Sequence, residues 1–265
     1  WKPLNPACET QKMHANLRSR TTRFFIAPLA TLALTLAAGS ASALELTPFS
    51  ASYAADMKNI PVNGEAVHSL QQNADGSWQL SFSASMFVAR LTEQSSLQVV
   101  DEQIRPLSYH YERRGLGRGK EITQQFDWQQ GQVNGQYKDE AFSLPTEPGL
   151  LDKTTYQLAL QADLAAGKQD MRYRVVDGDE VEEYHFRVVG EDRVTTRVGQ
   201  FDAVEVERIR EPDAKRETTL WFAKDWNYLL VRLSQTETDG QHYQIMLKEA
   251  SMDGQPVSGI PVKGD

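Results

Sequence analysis

Cysteine is almost absent from the sequence. The single cysteine, Cys8, stands near the start of the chain, so no thiol occurs in residues 44–265. A disulfide, a thiolate metal site and a cysteine nucleophile all need a thiol, and this part of the chain can therefore use none of them.

Sequence signatures of catalysis and metal binding are also lacking. The sequence contains no Gly-x-Ser-x-Gly nucleophile elbow of hydrolases and no His-Glu-x-x-His motif of zinc enzymes. It contains no EF-hand calcium loop either. The histidines after residue 43 stand singly in strand-like runs: His68, His110, His185 and His242. The acidic run at residues 177–183 has the pattern of a hairpin turn rather than of a calcium loop. We therefore expect a protein that is not an enzyme and that uses no cofactor and no metal.

Basic residues are too few for a nucleic-acid-binding protein. The net charge is −8, and residues 1–43 are themselves basic. The remainder of the chain therefore carries roughly −12, which nucleic-acid phosphates would repel. The same charge argues against docking on an anionic membrane through a basic patch. We expect no nucleic-acid partner.

No apolar run is long enough for a comfortable membrane span, but a shorter one lies near the start. Residues 24–38 are apolar, three arginines precede them, and Ala41-Ser42-Ala43 follows them. This order of basic, apolar and small residues is typical of a secretory signal peptide. We predict a Sec signal cleaved after Ala43 and a periplasmic protein with no stable membrane insertion; an uncleaved anchor is the alternative. Met13 is then the expected natural start, with residues 1–12 upstream of it.

Short alternating runs dominate the rest of the sequence. Apolar and polar side chains alternate at residues 49–53, 77–83, 107–111, 121–128, 184–188, 203–209, 228–234 and 242–247. Asp-Gly pairs such as Asp75-Gly76 and Asp239-Gly240 separate several of these runs and favour tight hairpins. One buried face and one wet face are typical of antiparallel sheets.

One segment has helical periodicity instead. Residues 150–166 place Tyr156, Ala159, Leu160 and Leu164 on one face, and Gly167 is placed to end the helix. The sequence thus predicts a mainly β fold: a curved antiparallel sheet or barrel-like domain with one packed amphipathic helix. We expect a single domain over residues 44–250 and a loosely ordered tail over residues 251–265. Two lobes joined by the helix are the alternative.

Several local strings together resemble one protein family. They include Arg105-Pro106-Leu107-Ser108-Tyr109, Phe126-Asp127-Trp128, Thr195-Thr196-Arg197-Val198-Gly199 and Leu220-Trp221-Phe222-Ala223. In this order they are similar to bacterial exported proteins of domain of unknown function (DUF) family 3108, over about residues 48–249. The resemblance implies a signal peptide and a β-rich envelope domain, and it implies no activity and no catalytic residue.

One glycine-rich loop holds the only basic cluster after residue 43. Arg113, Arg114, Arg118 and Lys120 stand between two strand-like runs. The simplest interpretation is a soluble hairpin tip, since the loop lacks the end of a P-loop and precedes no helix. The functional alternative is contact with an anion or a partner protein, because basic charge stands out on an acidic domain.

Aromatic residues are spread over many of the strand-like runs. They include Trp78, Phe82, Tyr109, Trp128 and Trp221. Such residues are typical of a β-domain core, but in a curved sheet packed on a helix they can also line an apolar groove. On the second interpretation the protein is a non-catalytic periplasmic factor that binds a lipid or acyl ligand or assists envelope-protein assembly. The alternatives are an adaptor that pairs through exposed strand edges and, less favoured, a cell-envelope hydrolase.

Overall fold

The computed structural model describes residues 44–57, 60–86, 88–115, 117, 119–211, 214 and 216–262. The predicted signal peptide and the residues upstream of it therefore lie outside the described residues. The first half of the described chain is a meander of eight strands: β1 (Phe49–Met57), β2 (Ile60–Gln72), β3 (Trp78–Met86), β4 (Ala89–Val100), β5 (Gln103–Arg114), β6 (Lys120–Asp127), β7 (Gln132–Tyr137) and β8 (Glu140–Pro145).

The second half of the described chain adds a helix and eight more strands. They are, in chain order, β9 (Leu150–Asp152), α1 (Thr155–Ala165), β10 (Asp170–Asp177), β11 (Glu180–Thr196), β12 (Gly199–Ile209), β13 (Glu217–Ala223), β14 (Leu229–Thr236), β15 (His242–Met252) and β16 (Gln255–Pro256). A short 3-10 turn, Lys224–Trp226, separates β13 from β14.

The sixteen strands of the described ranges belong to one sheet. Strands β1 to β8 pair in chain order on one side, strands β15 back to β9 follow on the other, and β1 joins the two halves by pairing with β15. Neighbouring strands are antiparallel, apart from the parallel pair of β9 and β10. Strand β9 also contacts β5 in the other half, so the sheet curves round on itself. The predicted mainly β, curved antiparallel architecture is confirmed.

Helix α1 lies within the curve of the sheet. Its side chains Leu158, Leu160 and Leu164 join the main apolar core, and the helix contacts β5, β9 and β10. Residues 155–164 are all buried or half-buried. The helix is therefore packed on the sheet, as predicted. It does not have the single buried face that the sequence predicts, because strands from both halves of the sheet contact it.

The helix is shorter than the sequence periodicity predicts. The prediction spans residues 150–166, whereas residues 150–152 form strand β9 beside β10. The helix begins only after Asp152, whose buried Oδ1 accepts hydrogen bonds from the backbone N–H groups of Thr154 and Thr155, each at 2.8 Å. Such a carboxylate satisfies N–H groups that the start of a helix leaves unpaired. At the other end Gly167 has a left-handed φ of 78° and ends the helix as predicted.

The C-terminal segment is more ordered than its composition predicts. Its first residues complete β15, and the next form β16 beside that strand. Val257 is buried and donates its N–H to Ala250 O at 2.9 Å, while Ile260 bridges to Gln200 of β12. The predicted loosely ordered tail is thus, up to Ile260, a segment fixed by backbone hydrogen bonds. Composition does not reveal this order, because most of these hydrogen bonds are made by main-chain atoms, which do not depend on the type of side chain.

Candidate functional site

An opening that we call the apolar cavity lies at the carboxyl end of helix α1. It has a volume of about 320 Å³. Leu158 and Ala162 line it from the helix, Phe49 and Leu70 line it from the sheet, and residues 44–47 line it from the segment before β1. The cavity therefore lies between the helix and the sheet.

Two amides beside the apolar cavity already bond to the protein. Gln161 donates its side-chain amide to Tyr228 O at 3.1 Å, and Asn227 donates to Thr47 Oγ1 at 3.5 Å. Asn227 has a left-handed φ of 47° after the 3-10 turn, a conformation that asparagine tolerates. Most residues that line the cavity are apolar, and Glu45, Thr47, Gln161 and Asn227 are its polar members.

A second opening, the polar cleft, lies at the amino end of the same helix. It has a volume of about 380 Å³, and Glu93, Lys153, Gln157 and Asp177 are among its lining residues. Lys153 Nζ lies 2.7 Å from Asp177 Oδ1, and Tyr184 donates its hydroxyl to Asp177 Oδ2 at 2.6 Å. Burial pushes the pKa of Asp177 upward, but the hydrogen bonds from Lys153 and Tyr184 outweigh burial and leave that pKa below its usual range. Asp177 is therefore a charged and paired carboxylate.

Glu93 is a partly protonated acid within the polar cleft. Burial raises the pKa of Glu93 to about 7, against the opposing effect of the Lys153 charge. Tyr109 donates its hydroxyl to Glu93 Oε1 at 3.1 Å, and burial likewise raises the pKa of Tyr109. Near neutral pH, Glu93 consequently contributes only part of a negative charge to the cleft.

Three arginines complete the polar cleft. Arg208 and Arg210 come from the end of β12, and Arg216 comes from the residues just before β13. With Lys153 they bring four cationic side chains to the lining of one opening, although the domain as a whole is acidic. Basic charge on this domain is thus concentrated at a place that the sequence interpretation did not select.

The predicted basic loop lies at the tip of the β5–β6 hairpin, as its turn pattern indicated. Arg113 is exposed, and Arg114 forms an ion pair of 2.6 Å with a glutamate two positions earlier. Lys120 Nζ lies 4.9 Å from the ring centre of Tyr137. Arg118 lies outside the described residues. The described basic side chains of this loop line neither the apolar cavity nor the polar cleft.

The five aromatic residues predicted as a possible groove lining are not brought together. Trp78, Tyr109 and Trp221 are buried on strands β3, β5 and β13. Phe82 packs half-buried against the main core, and Trp128 belongs to a second, smaller core between β6 and β10. The apolar cavity is instead lined by other, mostly aliphatic, side chains.

Neither a cluster of metal ligands nor a membrane-spanning helix occurs within the described residues. In that part of the chain, no group of three or more His, Cys, Asp or Glu side chains is placed to hold a metal ion. No helix within those same residues combines the length and the hydropathy needed to cross a bilayer.

Sequence comparison identifies the family. The family model described as "Protein of unknown function (DUF3108)" matches residues 49–248. The chain belongs to the DUF3108 family. The match begins with β1 and ends within β15, so it includes the helix and the strands on both sides of it. No curated protein matches the sequence.

Two solved structures resemble this DUF3108 chain to different degrees. The crystal structure of a beta-barrel-like protein of domain of unknown function DUF1849 from Brucella abortus has a TM-score of 0.53 and 12% sequence identity, covering 78% of this chain and 98% of that chain. The crystal structure of MucB in complex with MucA(peri) has a TM-score of 0.32 and 14% identity, covering 80% of this chain and 52% of that chain. The first similarity concerns the fold alone, and it agrees with the curved sheet described above.

Sequence reasoning missed the residues of the polar cleft. Strand alternation places Val204, Val206 and Arg208 on one face of β12, and the two valines are buried. Arg210 stands at the next alternate position, directly after the strand. The sequence pattern that could have indicated the cleft is this alternating series, in which two arginines follow two apolar residues. Lys153 reaches the same opening from another element, so only the fold brings these cations together.

Proposed function

We propose that this DUF3108 protein is a non-catalytic periplasmic factor that binds an acyl chain in the apolar cavity. The observation that supports the proposal is the opening between helix α1 and the sheet, lined by Leu44, Leu46, Leu70 and Leu158. Its volume of about 320 Å³ lies at the lower end of the range for small-molecule sites. The export signal predicted from residues 1–43 supports the periplasmic location.

The lining of the apolar cavity favours an acyl chain over a polar ligand. Each methylene group that leaves water for such a lining contributes about 0.8 kcal/mol to binding. Gln161 and Asn227 each donate one side-chain N–H to a protein oxygen, so the amides offer a polar ligand fewer donors than their number implies. A chain of several methylenes therefore gains free energy in this cavity without any directional contact.

A second candidate function is an adaptor that pairs through a strand edge. Strand β8 ends the sheet on one side and hydrogen-bonds only to β7 along the described strand order. An open edge can accept a strand from a partner protein. However, β8 has six residues and is bounded by Glu140 and Pro145, features that discourage edge pairing. We therefore place the adaptor second.

Native mass spectrometry tests the acyl-chain proposal. The full sequence is expressed in a bacterium, and the protein is purified gently from the periplasmic fraction. We expect a mass that starts at residue 44, together with an added mass that organic solvent extracts. Recovery from the cytoplasmic fraction with the leader intact would contradict the proposed location.

A matched pair of variants links the added mass to the cavity. Ala162→Phe fills the apolar cavity from the helix, whereas Ala141→Phe adds the same ring to the exposed strand β8. We expect Ala162→Phe to lose the extractable mass and Ala141→Phe to keep it, with both variants folded by circular dichroism. Ala162→Leu serves as a milder substitution if the phenylalanine lowers stability. Equal ligand recovery from all the folded proteins would refute binding in this cavity.

A further inference from the structure

Two arginines continue an inward-facing row of the sheet at the polar cleft. Val204 and Val206 of β12 belong to the main core, Arg208 follows them on the same face of that strand, and Arg210 stands at the next alternate position, directly after the strand ends. Both arginines are half-buried and line the opening beside Tyr156 of helix α1. Arginines on an outer face of the sheet would simply be solvated. The face meant here is the one on which Val204 and Val206 pack against the core.

Charges on the other cations of the cleft are already matched. Lys153 pairs with Asp177 at 2.7 Å, and Arg216 pairs with Glu237 at 2.6 Å. These two pairs therefore leave little net charge for a ligand. The positive charge that remains in the cleft belongs to Arg208 and Arg210, and Glu182 offsets part of it.

Neither of these two arginines has a carboxylate partner within 4 Å among the described residues. The Arg208 guanidinium carbon lies 3.5 Å from the ring centre of Tyr184, which covers one face and leaves the N–H edges available. Arg210 donates to Arg216 O at 3.4 Å and to Thr218 Oγ1 at 3.2 Å, both neutral acceptors. Burial, followed by the nearby charges of Arg208 and Arg216, lowers the pKa of Arg210 to about 10. The cleft thus gathers two like charges with no carboxylate in direct contact, although Glu182 belongs to the same lining.

The chemistry of the cleft fits a singly charged oxyanion. A guanidinium presents several N–H donors in a rigid fork that matches the oxygens of a carboxylate or phosphate group. Glu182 and the partly protonated Glu93 also line the cleft, and they disfavour a second negative charge on the ligand.

We propose that the polar cleft binds the singly charged oxyanion of a ligand, either a phosphodiester or a carboxylate, through Arg208 and Arg210. This proposal does not rest on acyl-chain binding, because the apolar cavity lies at the other end of helix α1 and shares no lining residue with the cleft. Its test therefore succeeds or fails independently of the extractable mass described above.

Titration with two small probes tests the site. Dimethyl phosphate and sodium acetate are added separately to the purified protein at low ionic strength, with sodium chloride as the reference salt, and binding is followed by NMR chemical shifts and calorimetry. We expect at least one probe to bind more tightly than chloride. Tighter binding of dimethyl phosphate selects a phosphodiester, as in a lipid headgroup, and tighter binding of acetate selects a carboxylate.

Arginine variants assign the binding to the cleft. Arg208→Gln and Arg210→Gln should each weaken binding about tenfold, the loss of one charged hydrogen bond. Arg193→Gln is the matched control, because Arg193 is an exposed residue of β11 that pairs with Asp202 at 2.9 Å. Arg208→Lys keeps the charge without the fork and should bind with intermediate strength. The proposal is overturned if no probe binds more tightly than chloride, or if the folded cleft variants bind as well as Arg193→Gln.

Discussion

His68 is a titratable residue placed where a charge is costly. Its side chain is buried on β2, and its Nε2 has no hydrogen-bond partner. The ring centres of Phe49 and Phe82 lie 5.1 Å and 6.1 Å from that of His68, each approached edge to face. Burial lowers the pKa of His68 to about 4, so the folded protein holds a neutral imidazole.

Acid should therefore destabilise the fold through His68. The unfolded chain protonates this histidine near pH 6.5 and the folded chain only near pH 4, so stability is lost as pH falls between these values. Between pH 7.5 and pH 5 the contribution of His68 alone falls by about 2 kcal/mol in the free energy of unfolding, whereas Glu93, whose pKa is raised in the folded state, contributes a change of the opposite sign. We expect His68→Leu to remove this part of the pH dependence, as measured by urea denaturation at both pH values.

The control for that measurement is another histidine. The side chain of His110 on β5 is 44% exposed, and its Nε2 lies 3.0 Å from Glu121 Oε1. His110→Leu should therefore leave the difference between the two pH values close to that of the wild type. If the stability of His68→Leu changes between pH 7.5 and pH 5 by the same amount as that of the wild type, burial of His68 makes no contribution to the pH dependence.

At the scale of elements, Gly135 shows how closely strands β6, β7 and β8 are packed. A Cβ atom at this position of β7 would lie 2.1 Å from Thr123 O on β6 and 2.7 Å from the ring of Phe142 on β8. Real Cβ atoms do not approach a carbonyl oxygen so closely. Glycine is therefore required at this position by packing and not by its backbone angles.

Two glycine-to-alanine substitutions separate packing from backbone freedom. Gly135→Ala should lower the free energy of unfolding by about 1–3 kcal/mol, because the neighbouring strands have to move apart. Gly190→Ala, at the irregularity of β11, should change it by less than about 0.5 kcal/mol, since a Cβ there meets no heavy atom within 4 Å. Chemical denaturation of both variants gives the comparison, and equal losses would show that the close contacts at Gly135 do not determine the cost of the substitution.

The helix shows how far an element could be predicted from sequence. Apolar spacing correctly indicated a helix after residue 150, and Gly167 correctly indicated its end. The start was placed five residues too early, because a short apolar run such as Leu150-Leu151 suits either a buried strand or a helix. Parallel pairing with β10 decides the matter, and that pairing is a tertiary contact without a local signal.

The candidate site was less predictable than the elements. Alternation predicted a strand at residues 203–209, and the structure confirms one there. The sequence did not indicate that Arg208 would meet Lys153 from the start of the helix and Glu93 from β4. The curvature of the sheet brings these residues together in space. The spacing of residues along the sequence gives no information about that proximity.

At the scale of the whole molecule, the C-terminal segment contributes to the stability of the sheet. Val257 is 4% exposed, and Gly259 donates its N–H to Val198 O at 2.8 Å. A chain ended after Met252 loses the buried Val257 and these hydrogen bonds. We expect a loss of about 2–4 kcal/mol and a clearly lower Tm by thermal denaturation.

A shorter truncation is the matched control for this prediction. A chain ended after Ile260 keeps the buried valine, the glycine contact and the bridge to Gln200. It should melt within a degree or two of the full chain. If the longer truncation has the same Tm as the shorter one, the ordered segment adds nothing to the stability of the sheet.

The junction between β1 and β15 has a consequence for how the chain folds. Ser52 on β1 and Glu249 on β15 are neighbours, although they stand 197 positions apart. Local hairpins form early, whereas a contact of such long sequence separation requires a large loop to close and forms slowly. Until β15 arrives, β1 presents an unpaired edge that can pair with another chain. Newly made molecules are therefore most prone to aggregate in the interval before their last long strand is complete.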